Sequence, residues 1–271
     1  MIDLKFGLFW TGGKLSYLRY LTFVSLRKYH PDATIELYVS DEWSKSGYSW
    51  GCEKQDFEEP SNGKDYMSAL KDLNVDIIKV NIFSKYPPNY QSDFFRWWWL
   101  KKNGGFYLDT DQIVLKSFED IDRDCDFIYS AYIAPSCGFY TPVGVIGSTK
   151  DAEIVQWIND MLPKYYDPRD YNSLGPFMLR SVVKTRKWRD KLYNTPSQMF
   201  YPILDSCYVG VLYGDSHSAA ESALKNVEKA YALHWYGGHP ESQRFNKSFN
   251  EEKAQTSLCL LAGVLRNKRI I

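Results

Sequence analysis

Cysteine is scarce here and poorly placed for structural chemistry. The 271-residue chain has five, at positions 52, 125, 137, 207 and 259. The number is odd, the spacing is wide and no Cys-x-x-Cys occurs, which argues against a structural zinc site and against a secreted disulfide framework. Reduced thiols fit instead, and a cytoplasmic location is expected. The opening stretch MIDLKFGLFWTGGK carries an acid and has no long apolar core, so it does not read as a signal peptide. No apolar run of about 18 residues is present, so no transmembrane segment is expected and any membrane contact would be peripheral. Charge of one sign is also missing, since 33 Lys and Arg balance 33 Asp and Glu. That leaves no basic footprint, and no nucleic-acid partner is expected. The chain contains no G-x-S-x-G, no P-loop and no H-E-x-x-H, and no serine or cysteine nucleophile announces itself. It has no internal repeat, no low-complexity segment and no clean break in hydrophobic pattern, so residues 1–271 read as a single domain.

What is present is apolar and aromatic. Hydrophobic residues make up 44% and aromatics 17%, enough for a sizeable core. Some of the aromatics could stack on sugars or bases, although most aromatics in any protein serve packing. Residues 5–10 form a short apolar run, a candidate buried strand, broken by Thr11, Gly12 and Gly13. A strand running into glycine is where a parallel α/β sheet begins to bind a nucleotide, which makes Gly12 a candidate binding position. Residues 14–29 space Leu15, Leu18, Leu21, Phe23 and Leu26 as an amphipathic helix ended by Pro31, and 34–39 (TIELYV) follow as a strand. Strand, helix, strand is one βαβ unit. Asp41, at the end of that strand, is read as a turn cap rather than a ribose contact. Residues 42–64 are a long mixed loop, a flap or an insertion. A short helix over 66–73 and a strand over 75–80 come next, and then Pro87 and Pro88 impose extended backbone.

The stretch SDFFRWWWLKKNGGFYLDTDQIVL, residues 92–115, organises the rest. It reads as an apolar helix, a glycine turn and a short strand ending on two acids. Asp93 and Arg96 lie three apart, so both can point off one helix face. Asn103, Gly104 and Gly105 give a strong turn signal, with Gly104 or Gly105 as the helix C-cap. Residues 106–108 are a buried strand, and Asp109 and Asp111 follow. In extended backbone, residues two apart share a side. Two carboxylates so placed make a hard-oxygen site for Mn²⁺ or Mg²⁺.

Downstream, residues 113–115, 127–131 and 144–147 read as strands, 120–126 as a solvated acidic turn and 134–142 as a loop. Helices are expected over 151–162, over 176–183 after Gly175-Pro176, over 221–229 and over the tail 249–271. Residues 231–235 (YALHW) form a short strand carrying His234.

The pattern S-D-x-x-R followed by L-x-x-x-G-G-x-Y-L-D-T-D resembles the sugar-binding region of the DXD glycosyltransferases. That family takes in the Och1-like mannosyltransferases, capsular polysaccharide transferases and, more distantly, the large clostridial glucosylating toxins. The resemblance is dense over residues 4–115 and thin beyond. It implies a GT-A (Rossmann-like) α/β fold, a mixed, mostly parallel central sheet flanked by helices. It further implies a single catalytic domain, with 1–115 as the nucleotide-sugar and metal-binding part and 116–271 as the acceptor side and C-terminal helices. It also implies retention of configuration. In the toxins a tryptophan at the position of Trp10 stacks on uracil; read from the residues alone, Trp10 is equally a core residue. The resemblance gives Asp93 to donor-sugar hydroxyls and Asp109 to the ribose as well as the metal. A late histidine returns to the metal in such folds, which points to His234 ahead of His239; the plainer alternative is a half-buried histidine at a strand end. Three successive tryptophans (Trp97, Trp98 and Trp99) are unusual in that helix, and one or more of them is expected to face the core or an acceptor groove. The family's C-terminal S-x-W element is missing, with Ser242 standing near its place without the Trp.

The chemistry expected is departure of a charged diphosphate. A metal on Asp109, Asp111 and His234 would neutralise it, and Arg96 would add a charge-assisted contact. Asp93, Arg96 and Asp111 are the catalytic candidates. Trp10, Gly12, Asp93, Arg96 and Asp109 are the donor-binding ones. The donor expected is a nucleotide sugar, UDP-hexose first, and the acceptor a glycan, a lipid-linked group or a protein. Two rivals remain: a non-catalytic nucleotide-sugar or glycan-binding protein on the same scaffold, and a metal-dependent phosphodiesterase or nucleotidyltransferase. The second usually needs a third carboxylate or a phosphate-binding glycine loop, and neither is evident.

Overall fold

The computed structural model describes residues 1–11, 13–42, 63–134, 138–204, 209–214 and 217–271. Strand β1 (Lys5–Thr11) is buried from Phe6 onward, as a strand covered on both faces must be. Helix α1 (Tyr17–Tyr29) follows, with Ser16 accepting the Arg19 N–H as its cap and Leu18, Leu21, Phe23 and Leu26 turned inward. Strands β2 (Thr34–Ser40) and β3 (Val75–Lys79) extend the sheet in parallel, β2 on β1 and β3 on β2. Asp41 lies 2.9 Å from Lys79 Nζ, and the turn it is expected to cap lies outside the described residues. Most of the expected 42–64 loop, residues 43–62, lies outside the described residues.

Helix α2 (Pro88–Asn103) starts before Ser92, because Pro88 is accepted at its first turn. It closes on Gly104 at φ 67°, whose N–H bonds to the Leu100 carbonyl at 2.9 Å. The tryptophans point in three directions, because successive helical residues turn by about 100°. Trp97 donates to the Leu174 carbonyl at 2.9 Å, Trp99 donates to Glu36 at 2.8 Å, and Trp98 is half-buried against Tyr38 and Phe83. All three serve packing, and none lines the pocket described below. Strand β4 (Gly105–Leu108) then pairs parallel with β1, Gly7 opposite Tyr107. Gly105 (φ 89°) allows the close approach, since a β-carbon there would lie 2.4 Å from the Lys5 carbonyl oxygen.

Asp109 to Asp111 is a turn and not extended chain, with the Gln112 N–H bonded back to the Asp109 carbonyl at 3.3 Å. The two acids therefore do not share one strand face, contrary to the expectation from spacing. Strand β5 (Gln112–Val114) leaves the main sheet. Strand β6 (Phe127–Ser130) returns to it. Strand β7 (Tyr132–Ala134) pairs antiparallel with β8 (Gly138–Tyr140), and β8 lies in the region expected as a loop. Strand β9 (Val145–Ser148) runs antiparallel between β4 and β6. Helices α3 (Glu153–Tyr165) and α4 (Pro176–Val183) cover the α2 side, and β10 (Leu192–Thr195) pairs parallel with β6. Among the described residues the main sheet has seven strands in the order β10-β6-β9-β4-β1-β2-β3. It is the mixed, mostly parallel sheet flanked by helices that the sequence implied.

The remaining chain is helical apart from one strand. After α5 (Gly210–Tyr213) and α6 (His217–Lys229), β11 (Ala232–His234) pairs antiparallel with β5. Helix α7 (Pro240–Ser248) was not expected, and it is capped by His239. The tail is two helices, not one: α8 (Glu251–Thr256) and α9 (Leu260–Asn267). Asn250 and Cys259 cap their starts, so the chain re-initiates after Ser257. Arg266 ties the two together by donating to the carbonyls of Ala254 and Ser257. Among the described residues no helix is long and apolar enough to cross a membrane.

Candidate active site

Helix α2 delivers Asp93 and Arg96 to the C-terminal ends of β1 and β4. Both are almost fully buried, and Arg96 Nη1 lies 2.9 Å from Asp93 Oδ1. Arg96 Nη2 lies 3.1 Å from Asp109 Oδ1. The Tyr107 hydroxyl donates to the same oxygen at 2.6 Å and touches the Ser92 hydroxyl at 2.8 Å. One guanidinium therefore serves two carboxylates, Asp93 buried and Asp109 part-buried. Burial pushes Asp93 up to about 7, with Arg96 opposing and Asp109 adding to the rise. Asp109 is likewise raised, chiefly by burial. Burial works against the Arg96 charge, but Tyr107, Asp109 and Asp93 outweigh it and hold the guanidinium protonated.

Asp111 is anchored from the other side. Its Oδ2 accepts the Gly237 N–H at 2.7 Å and lies 3.0 Å from His234 Nε2. The β5–β11 pairing sets His234 opposite Gln112 and so beside the acids. Burial would raise Asp111, but His234, Arg19 and the Gly237 amide outweigh it and hold the carboxyl down at about 2. The two acids of one turn are thus pulled to opposite sides of the ordinary carboxylate range, a pattern typical of functional sites.

These groups line a cavity of about 430 Å³. Trp10 is on its wall as well as in the core: 5% exposed, its indole N–H donates to the Gly13 carbonyl at 3.0 Å. The Arg19 guanidinium lies over its ring at 4.5 Å. Asp93, Arg96, Asp109, Asp111, Trp10 and His234 all reach the cavity. Gly12 lies outside the described residues. His239 is spent on its capping bond from the Glu241 N–H. Ser242 is buried, donating to the Trp235 carbonyl.

The donor set suits a hard divalent ion. Asp111 Oδ1 is buried with no partner, and so is His234 Nδ1. Among the described residues no three His, Cys, Asp or Glu side chains are gathered as a ready-made metal cage. An ion held by these carboxylates would thus complete its shell with water and phosphate oxygens, as Mg²⁺ commonly does.

Several residues of the site were not legible from the motif. Tyr107 could have been found, because it stands two before Asp109 and shares its strand side. Arg19, Thr110, Gln112, Tyr201 and Gly237 carry no local signal. Gln112 is fully buried with both amide atoms unpartnered.

Residues 19–128 match the glycosyltransferase sugar-binding region containing the DXD motif. Among solved structures, the PaToxG glycosyltransferase is 17% identical at a TM-score of 0.50, over 98% of this chain and 87% of that one. The apo-form glycosyltransferase GlyE of Streptococcus pneumoniae TIGR4 is 16% identical at 0.52, over 99% of this chain. This chain spans 61% of the length of that second structure. No curated protein matches. The likenesses show a fold consistent with GT-A, and the motif match over residues 19–128 supports a glycosyltransferase.

Proposed function

We propose that this chain moves a hexose from a nucleoside-diphosphate sugar, UDP-hexose first, to a hydroxyl of a glycan, lipid-linked or protein acceptor in the cytoplasm. The reading includes a bound Mn²⁺ or Mg²⁺ and retention of configuration at the anomeric carbon. It adopts the Och1-like and capsular transferases as kin, and the clostridial toxins as distant ones. It also treats residues 1–271 as one catalytic unit, with donor and metal groups in 1–115 and the acceptor side in 116–271.

The observation that carries it is the bare Oδ1 of Asp111 at the wall of the cavity. A buried carboxylate oxygen without a partner costs on the order of 1–3 kcal/mol, and a cation would relieve that cost. Asp109 and Asp111 would hold the ion, with His234 as the third candidate. When bound, the ion would neutralise negative charge on the departing diphosphate.

The chain's own groups supply the rest. Tyr107 and Arg96 fix Asp109, and Gly237 and His234 fix Asp111, so neither acid must reorganise when the donor enters. Asp93, held near 7, can accept from or donate to a sugar hydroxyl. Arg96 offers a cation beside the acids for the phosphate or the leaving oxygen. Trp10 forms wall that a base would meet. Because His234 and Gly237 complete a site begun by α2 and β4, the donor half needs the second half of the chain to be whole.

The test is turnover of a panel of nucleotide sugars with Mn²⁺, reading the released nucleoside diphosphate. One donor should be hydrolysed slowly by the wild type, with a loss of about 100-fold or more in Asp111→Asn. The anomer formed, read by NMR, checks retention. No turnover, with metal-independent nucleotide-sugar binding that the substitution leaves unchanged, would instead make the protein a binding module.

A further inference from the structure

The cavity divides by charge. Its acids and arginines come from residues 1–115, as Arg19, Asp93, Arg96, Asp109 and Asp111. Among the described residues, the lining drawn from 132–176 has no charged side chain. Tyrosines stand there instead: Tyr132 and Tyr140 from the β7–β8 pair and Tyr171 from the segment before α4, followed by Asn172. Tyr132 and Tyr140 are direct partners across the two strands and so share one face. Their ring centroids are 5.7 Å apart, edge to face. This wall is held in place from behind. The Tyr90 hydroxyl lies 3.0 Å from the Asp167 carbonyl oxygen and 3.1 Å from that of Asp170, which fixes the turn leading into Tyr171 against α2. Trp97 donates to the Leu174 carbonyl just beyond it. The Thr141 hydroxyl donates to the Pro176 carbonyl at 2.6 Å and so joins the end of β8 to α4. Tyr171 itself remains 37% exposed.

The composition of this wall selects among acceptors. A phosphate-bearing group would give up water there and meet no cation in return. An uncharged sugar ring suits it, because the C–H face of a pyranose can lie on a tyrosine ring while its hydroxyls reach amide and phenol groups. Aromatic side chains with two torsions, already held by the fold, bind at small entropic cost. Resting on the donor reading above, we propose that Tyr132, Tyr140, Tyr171 and Asn172 form the acceptor subsite, and that the acceptor they take is an uncharged sugar of a glycan. The charged part of the cavity then serves the donor and the tyrosine wall the acceptor, within one space.

Saturation-transfer NMR with methyl glucosides, galactosides and mannosides, with and without UDP and Mn²⁺, tests this without turnover. Protons on one face of the bound ring should take up most of the saturation, and added salt should change the affinity by less than about twofold. Tyr171→Ala should weaken binding by about threefold to tenfold, whereas Tyr171→Phe, which keeps the ring, should stay within about twofold of the wild type. Tyr140→Ala should act in the same direction, and the exposed Tyr171 decides the matter if that variant fails to fold. In turnover, Tyr171→Ala should lose about threefold or more of transfer to the glycoside beyond any loss of donor hydrolysis. Glycosides that give no saturation transfer, or that bind both alanine variants as tightly as the wild type, overturn the assignment. Transfer to a hydroxyl-bearing peptide or a lipid diphosphate, with none to glycosides, also overturns it and leaves the donor reading standing. A wild type that hydrolyses no nucleotide sugar and binds no nucleoside diphosphate would instead sink the donor reading itself.

Discussion

Asp109 and Asp111 sit on one turn and are held by different parts of the chain. Arg96 and Tyr107 grip the first; His234 and Gly237 grip the second. Removing one grip should therefore act on one acid. Tyr107→Phe deletes the 2.6 Å bond to Asp109 Oδ1 without emptying the core. On the proposed reading of Asp109 as a metal ligand, donor turnover should fall by about 10–100-fold, the usual cost of losing a group that orients such a carboxylate. The melting temperature should shift by no more than the loss of one hydrogen bond, about 1 kcal/mol. A variant with wild-type turnover would mean that Asp109 needs no such orientation.

At the scale of elements, α2 is the pivot because each of its faces is committed. Trp97 ties it to the segment before α4, Trp99 ties it to β2, and Asp93 and Arg96 face the cavity. The contact with β1 is close. A β-carbon on Gly7 would stand 2.3 Å from the Trp99 ring. Gly7→Ala should lose about 1–3 kcal/mol or more, since neither the indole nor the strand can give way without breaking a pairing. Adding Trp99→Leu should return part of that loss in thermal unfolding. If Gly7→Ala alone is neutral, α2 does not lie on β1 this closely. The sequence made this helix legible through its glycine stop and apolar run. It gave no sign of where each tryptophan would point. The split tail was illegible for a related reason: its apolar residues keep a helical rhythm, and only the caps at Asn250 and Cys259 show where the chain restarts.

On the whole molecule, His30 gives a way to follow the packing as pH falls. It caps α1, lies between Phe6 and Phe118, and accepts the Phe118 N–H. Burial first, then Arg123 and Arg27, lower it from 6.5 to about 4. The unfolded chain takes up this proton below about 6.5, whereas the folded one resists it until about 4. Its contribution to stability is therefore complete above 6.5 and is lost as pH drops through that window. Melting temperature should fall between pH 6.5 and 4, and less steeply in His30→Gln; equal slopes would remove His30 as a cause. The sequence by itself determined the alternation of strand and helix, the α2–glycine–strand unit and the pairing of Asp93 with Arg96, because these are set by neighbours within a few residues. Only the tertiary structure decided that Asp109 and Asp111 turn to different partners, that Arg19 comes to them, and that His234, which the family resemblance had pointed to, bonds to Asp111. Those placements depend on β5 meeting β11 and on α1 lying against the Asp109–Asp111 turn, contacts between segments about 90 to 120 residues apart that no local pattern encodes.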